Sequence, residues 1–226
     1  MGKNISFLIP AYNDEGTIDQ VIAEATRVGR RLARKFEIVV INDGSGDRTG
    51  IILVRLAKKV SRLRVITHPI NRGYGTTIKE LYYAGKHEWL FTIPGDYQVG
   101  ARELEKLIPH TKTADMILGW RVKRNDPGNR LIVSWIYNRL IQLVFGVSFH
   151  DINSVRLMRR SILDDVTLTS SSAYVDAELV IRAMRLGYMI VEVPIAHRAR
   201  VDGERGRGNQ WRTIAGTIID MIRFFL

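Results

Sequence analysis

Cysteine is absent from this chain of 226 residues. Its absence excludes disulfide frameworks, Cys-ligated zinc, iron–sulfur clusters and thiol nucleophiles, and it fits a reducing compartment. Long apolar runs are absent as well, because the richest stretch, residues 132–147, is interrupted by Asn138, Arg139 and Gln142. A membrane span needs about 18 or more consecutive apolar residues. These absences favour a globular protein that is soluble or lies at a membrane surface.

Acidic residues are the minority charge. The chain has 23 Asp and Glu against 34 Lys and Arg, which gives a net charge of +11 and a pI near 10.1. None of the acidic residues lies between Asp47 and Glu80. A basic protein of this kind suits an anionic partner: nucleic acid, acidic lipid or a phosphorylated substrate. Nucleic acid is disfavoured, because no helix-turn-helix, zinc-finger or RRM motif is found.

Apolar runs and helical periodicity alternate along the first half of the chain. The pattern predicts strands at 5–10, 37–41, 64–67, 89–94 and 116–119, and helices at 17–36, 49–60, 76–85 and 101–112. A loop at 121–130, helix 131–145, strand 154–158, helix 174–186, strand 188–193 and a mobile glycine-rich loop at 200–210 follow. Continuous apolar strands that alternate with helices indicate an α/β fold with a mostly parallel sheet. No repeat or linker divides it, so we expect a single domain.

Chemically active residues follow the predicted strands. In an open parallel sheet, ligands bind outside the carboxyl ends of the strands. Tyr12, after the first strand, can stack on a base, and Asp43, after the second, can accept a hydrogen bond from a base N–H. Asp96 and Gln98, after the fourth, offer oxygen ligands for Mg²⁺ or Mn²⁺. Arg121, after the fifth strand, can bind a phosphate.

Together these segments resemble the family 2 glycosyltransferases of the GT-A fold, and among them the polyprenyl-phosphate (dolichol-phosphate) mannose and glucose synthases. The resemblance covers about residues 3–206. Pro10-Ala11-Tyr12-Asn13-Asp14 is similar to the family's P-x-Y-N-E, with Asp for Glu, and Asn42-Asp43-Gly44-Ser45 to its D-D-G-S turn. Further matches are Asn71-Arg72-Gly73-Tyr74-Gly75, Asp151-Ile152-Asn153-Ser154-Val155-Arg156, Tyr174-Val175-Asp176-Ala177-Glu178-Leu179 and Arg200-Val201-Asp202-Gly203-Glu204.

The resemblance implies a Rossmann-like GT-A domain that binds a nucleotide-diphosphate sugar and transfers mannose or glucose to polyprenyl phosphate with inversion. It implies catalytic roles for Asp96, Asp151, Arg121 and Arg200. Substrate-binding roles fall on Pro10, Tyr12, Asp14, Asp43, Gly73, Gly95, Gln98 and Glu178. Asp96 and Gln98 would hold Mg²⁺ or Mn²⁺, although Pro94 replaces the first Asp of the family's D-A-D-L-Q motif. Loss of that carboxylate weakens the expected metal site, and Asp14 or Asp43 is a candidate to compensate.

Three questions stay open at this point. A sugar-hydroxyl acceptor would need a general base, for which Asp151 or Glu178 is the candidate, whereas a phosphate acceptor needs none. A non-catalytic nucleotide-sugar binder is a further alternative, because of Pro94. We divide the chain into a glycosyltransferase domain at 1–210 and an amphipathic helix at 211–226. This helix either lies on an anionic membrane surface, which would make the protein cytoplasmic and peripheral, or packs on the protein's own core.

Overall fold

A computed structural model describes residues 2–122, 128–199 and 211–225, and the side chains of 2–122, 132–199 and 214–225. The strands are β1 (Lys3–Ala11), β2 (Ala33–Asp43), β3 (Leu63–His68), β4 (Trp89–Thr92), β5 (Met116–Arg121), β6 (Arg156–Arg159) and β7 (Ile190–Ile195). The α-helices are α1 (Ile18–Leu32), α2 (Thr49–Lys59), α3 (Tyr74–Ala84), α4 (Leu104–Leu107), α5 (Gly128–Phe145), α6 (Ile162–Asp165), α7 (Val175–Arg185) and α8 (Trp211–Phe225). Short 3₁₀ turns at Ala101–Glu103 and Ile108–Lys112 flank α4.

The strands form one seven-stranded sheet in the order β3-β2-β1-β4-β6-β5-β7. All pairs are parallel except those of β6, which runs antiparallel to both β4 and β5. The central strands are buried on both sides, because helices cover both faces of the sheet. Since β1, β2, β3, β4, β5 and β7 point the same way, their carboxyl ends meet at one edge. The expected single-domain, mostly parallel α/β fold is confirmed.

The first helix is shorter than expected. The sequence predicts a helix over 17–36, but α1 ends at Leu32 and β2 begins at Ala33. Lys3 and Asn4 of β1 pair with Ala33 and Lys35, so residues 33–36, which the helical pattern assigns to the helix, belong to a strand instead.

The expected loop at 121–130 is also too long, because α5 begins at Gly128. The expected mobile loop at 200–210 lies outside the described residues.

The C-terminal helix α8 packs on the domain along one side. Asp220 accepts hydrogen bonds from the backbone N–H groups of Ser171 (3.0 Å) and Ser172 (2.9 Å). The Phe224 ring packs 5.5 Å from that of Phe145, centroid to centroid. Ile218, Ile219 and Ile222 on the opposite side are exposed, and so is most of Phe225, although its ring lies 6.3 Å from that of Phe145. The helix is therefore docked on the core and still presents an apolar outer side.

Among the helices that the structure describes, none is long and apolar enough to cross a membrane.

Candidate active site

The loop after β1 is tied to the loop after β2. Asn13, with a positive φ of 53°, donates its N–H to Ser45 Oγ (3.0 Å), and its Oδ1 accepts the N–H of Gly46 (2.9 Å). The N–H of Asp14 donates to Thr49 Oγ1 (2.8 Å), where α2 begins. These bonds place Tyr12 and the end of β2 side by side, as the strand-end rule predicts.

The carboxylate of Asp43, at the end of β2, is buried and holds the loop before α3. It accepts the backbone N–H of Arg72 (2.8 Å) and of Gly73 (2.9 Å), while His68 Nδ1 lies 2.8 Å from Oδ1. Gly73 has a φ of +86°, a conformation that glycine adopts without a Cβ penalty. A carboxylate has about four acceptor positions, and these partners fill three. Among the described residues, no hydrogen-bond partner fills the fourth position.

The loop after β4 carries Asp96 and Gln98. The N–H of Gln98 donates to Asp96 Oδ1 (3.0 Å), which forms a tight turn with Tyr97 at a positive φ of 61°. Thr17 Oγ1 donates to the carbonyl of Gly95 (2.8 Å). A Cβ at Gly95 would lie 2.4 Å from Asp14 Oδ2, so the Asp14 carboxylate rests directly against this loop. Asp14 is thereby placed next to the candidate metal loop, whereas Asp43 serves the loop before α3.

The segment after β7 covers the same loop from the other side. The N–H of Arg198 donates to the Gln98 carbonyl (2.8 Å), and its guanidinium carbon lies 4.0 Å from the Tyr97 ring centroid. The Tyr97 hydroxyl donates to Glu24. Burial raises the pKa of Glu24. The Tyr97 hydroxyl, the Arg102 N–H and the Arg198 cation together lower this pKa by more than burial raises it, so it lies below its usual range. Glu24 therefore stays ionised and fixes both aromatic and cation.

The sequence analysis missed Arg198 and the buried His197 before it. The signal was available, because both directly follow the apolar strand β7 and the strand-end rule applies to that strand as well. Arg200, which the resemblance marks as catalytic, lies outside the described residues.

The two predicted catalytic residues Arg121 and Asp151 form a bidentate ion pair. Arg121 Nε lies 2.6 Å from Asp151 Oδ2, and Nη2 lies 2.7 Å from Oδ1. Both side chains are largely buried, at 17% and 5% exposure. The pair fixes the plane of the guanidinium at the end of β5. It also occupies the Asp151 carboxylate, which would have to leave Arg121 to act as a general base.

Glu178, the other candidate base, is also engaged. Its carboxylate accepts the N–H of Thr169 (3.0 Å), the N–H of Ser170 (2.8 Å) and Arg182 Nε (2.9 Å). Burial raises the pKa of Glu178, but the bonds from Ser170 and Thr169 lower it more, and the net shift is downward. A carboxylate of lowered pKa that anchors a loop is a poor base. Its position indicates a structural contribution to the segment before α7.

Asp176, two residues earlier, forms a network that the sequence analysis did not anticipate. It accepts the hydroxyls of Tyr74 (2.8 Å) and Tyr82 (3.0 Å) from α3, and Arg156 Nη2 lies 2.9 Å away. Asp176 and Arg156 are both 1% exposed. The network links the start of α3, next to the Asp43 loop, to α7 and β6.

The donor set of the fourth-strand loop suits a hard divalent cation. Asp96 and Gln98 supply oxygen atoms, and Pro94 supplies no side-chain ligand. Within the described ranges there is no group of three His, Cys, Asp or Glu residues that could hold a metal ion. Mg²⁺ is usually bound through one or two carboxylates plus substrate phosphates. The residues present therefore fit a cation whose remaining ligands come from a diphosphate and water.

A mostly parallel sheet with Tyr12, Asp43, Asp96 and Arg121 at one edge defines a GT-A-type glycosyltransferase. The chain matches the family Glycosyl transferase family 2 over residues 6–167, more than half its length. It belongs to this family and is an enzyme of it.

Several solved structures share the fold. Glucosyl-3-phosphoglycerate synthase from Mycobacterium tuberculosis, in complex with Mn²⁺, UDP and phosphoglyceric acid, has a TM-score of 0.76 at 19% identity, with 99% of this chain and 79% of that chain covered. The complex of that synthase with Mg²⁺ and UDP gives 0.73 at 18% identity, with 99% and 79% covered. A mycobacterial protein gives 0.77 at 19% identity, with 99% and 75% covered. At these identities the likeness establishes the shared fold.

Proposed function

We propose that this protein transfers glucose or mannose from a nucleotide-diphosphate sugar to a polyprenyl phosphate at an anionic membrane surface, with inversion at the anomeric carbon. The observation that carries the proposal is a set of exposed apolar side chains on α5 and α8, called here the apolar face. It contains Ile132, Trp135, Ile136, Leu140, Leu143, Ile218, Ile219, Ile222 and Phe225.

The donor site is built from the first two strand ends and the fourth. Tyr12 offers a ring for the base, and the open acceptor position of Asp43 offers a partner for a base N–H. Asp96 and Gln98 would hold Mg²⁺ or Mn²⁺, which would neutralise charge on the leaving diphosphate. Support for this assignment comes from related structures that contain Mn²⁺ or Mg²⁺ together with UDP. Pro10, Gly73 and Gly95 shape the surrounding loops.

The acceptor is best matched by a group that is already a nucleophile. A sugar hydroxyl would need a base, but Asp151 is paired with Arg121 and Glu178 is held by the 169–170 segment. A phosphate monoester is anionic and attacks the anomeric carbon without proton transfer. Arg121, which Asp151 orients at the end of β5, is our candidate for the cation that binds this phosphate.

A lipid-linked phosphate explains the apolar face. Trp135 and Leu143 on α5 are 65% and 76% exposed, and Ile222 and Phe225 on α8 are 50% and 65% exposed. Exposed Arg139, Arg185 and Arg223 lie on or beside these helices. An apolar side with basic residues around it is typical of helices that lie in the headgroup plane. The docked α8 is compatible with this role, since its inner side holds the domain while its outer side faces away.

The experiment compares acceptors with one enzyme preparation. UDP-glucose or GDP-mannose, each with Mg²⁺ or Mn²⁺, is supplied with polyprenyl phosphate in anionic vesicles or with soluble 3-phosphoglycerate. We expect transfer to the lipid phosphate, and Asp96→Ala should abolish it with an unchanged circular dichroism spectrum. If the enzyme transfers sugar to 3-phosphoglycerate and not to the lipid phosphate, the proposed lipid acceptor is wrong and the acceptor is a soluble molecule. Donor binding without transfer to either acceptor would favour a non-catalytic nucleotide-sugar binder.

Matched variants test the membrane surface. Leu143→Lys and Ile222→Lys change the outer face and should lower the vesicle-bound fraction and lipid transfer while sparing nucleotide affinity. Ile51→Lys on α2 is the control, because Ile51 is equally apolar and 72% exposed but lies outside this face. Equal vesicle binding by all three variants and the unmodified protein would reject the membrane role.

A further inference from the structure

His68 is buried at the end of β3 between two carboxylates. Its Nδ1 lies 2.8 Å from Asp43 Oδ1, and its Nε2 lies 2.8 Å from Glu80 Oε2 on α3. The side chains of His68 and Asp43 are only 6% and 5% exposed. Neither the motifs nor the strand-end argument gives this histidine a role.

These contacts are part of a closed ring of interactions. Glu80 Oε1 accepts Arg72 Nη1 (2.5 Å), and the backbone N–H of Arg72 returns to Asp43 Oδ1 (2.8 Å). Asn71 Nδ2 adds a bond to the Asp43 carbonyl (3.2 Å). The ring joins the ends of β2 and β3, the loop at 71–73 and α3. His68 is the member whose side chain contacts both carboxylates.

The number of protons on the His68 ring determines whether it donates a hydrogen bond to one or to both of the carboxylates of Asp43 and Glu80. Only a ring with protons on both nitrogens donates to Asp43 and Glu80 together, because a neutral imidazole presents a lone pair on one side. The charged groups that face the ring are Asp43 from β2 and Glu80 from α3, with Arg72 behind Glu80. A lone pair opposite Asp43 would remove one of the three contacts that orient its carboxylate, whereas a lone pair opposite Glu80 would weaken only the contact to α3.

We propose that His68 is a positioning residue for the donor nucleotide: it orients Asp43 so that the remaining acceptor position of the carboxylate meets the base. This inference rests on the proposed function, since it places the base at Asp43. The position of Asp43 then depends on the donor that His68 directs at its Oδ1. Nucleotide affinity should therefore change when His68 is altered, whereas the rate of the transfer step at Asp96 and Arg121 should not.

Two substitutions separate positioning from general stability. In His68→Asn, the amide N–H₂ replaces Nδ1 and keeps a donor toward Asp43. In His68→Gln, the amide N–H₂ replaces Nε2 and keeps a donor toward Glu80. We expect His68→Gln to raise the Kd for UDP or GDP about tenfold, and His68→Asn to raise it no more than about threefold. The kcat at saturating donor should stay near that of the unmodified enzyme.

The split between binding and turnover gives a readout that a purely structural role would not move. His68→Gln should weaken nucleotide binding while kcat at saturating donor and the melting temperature stay near those of the unmodified enzyme. His110→Asn, at an exposed histidine, is the control and should leave binding, turnover and melting temperature unchanged.

The outcomes are distinct. If the unmodified protein binds neither nucleotide, the proposed function fails. If it binds one nucleotide and both His68 variants match its affinity, the role of His68 is overturned and the donor site stands. Equal losses of affinity and of melting temperature in both variants would also overturn it, because only fold stability would then be affected. Should His68→Gln not fold, His68→Leu replaces it with the same expected weakening, because leucine also lacks a donor toward Asp43.

Discussion

Substitution of Asp176 by Asn should destabilise the whole domain. The change is nearly isosteric, so it removes a charge and an acceptor without opening a cavity. Asp176 Oδ1 and Oδ2 accept the Tyr82 and Tyr74 hydroxyls, and Oδ1 lies 2.9 Å from Arg156 Nη2. An amide cannot accept all of these donors and leaves the cation of Arg156 without its carboxylate.

The magnitude follows from the burial of the pair. Asp176 and Arg156 are each 1% exposed, and removal of one partner from a buried pair costs about 3–5 kcal/mol. Arg156 keeps bonds to the carbonyls of Asp176 (3.1 Å) and Ile152 (3.2 Å), which soften the loss. We expect Asp176→Asn to lower the free energy of unfolding by about 4 kcal/mol. Domains of this kind have about 5–15 kcal/mol in total, so the variant should be marginal.

Urea denaturation at one pH measures this loss as a shift of the midpoint at an unchanged m-value. Asp164→Asn is the control. Asp164 forms an exposed pair with Arg160, at 3.8 Å and with 64% and 41% exposure, so its loss should stay under about 1 kcal/mol. If Asp176→Asn costs no more than Asp164→Asn, the buried network contributes nothing and the reasoning is wrong.

Other expectations follow from single contacts. Gly95→Ala places a Cβ 2.4 Å from Asp14 Oδ2, so a melting curve should show a loss of about 1–3 kcal/mol, whereas Gly46→Ala, with open space around it, should not. Asp220→Asn should lower stability by about 1–2 kcal/mol, since it weakens the bonds that hold α8, and an unchanged urea midpoint would contradict this. Burial raises the pKa of Tyr82 well above its ordinary value, despite a nearby cation. The unfolded chain therefore loses this proton first, and stability should be intact below about pH 10 and fall above it, less steeply in Tyr82→Phe.

Much of the fold could be predicted from the sequence, because the buried strands are continuous apolar runs and the helices between them are periodic. Two features could not. The boundary at Leu32 depends on pairing between β1 and β2, which overrides a helical pattern without a local stop signal. The antiparallel insertion of β6 between β4 and β5 depends on sheet topology, which residue patterns along the chain do not encode.

The sequence indicates which candidate site residues lie at one edge of the sheet, but not which side chains they contact. Tyr12, Asp43, Asp96 and Arg121 follow strand ends, and the parallel sheet brings them to one edge. Sequence spacing does not indicate that Arg121 is paired with a residue 30 positions later. Such a partner depends on tertiary contacts, and it changes the chemistry of both groups.

The departures from the family pattern belong together in space. Asp14 stands for Glu, and Pro94-Gly95 stands for the D-A pair before Asp96. The Asp14 carboxylate occupies the space that a Cβ at position 95 would need, with Asp14 Oδ2 at 2.4 Å and the Pro10 carbonyl oxygen at 2.9 Å from the ideal Cβ. A side chain at position 95 is therefore incompatible with this placement of Asp14. Position 94 lacks the family's carboxylate, and the Asp14 carboxylate, which follows β1, packs against the same loop. The three differences therefore lie in one small region of the structure, where the loop after β1 meets the loop after β4.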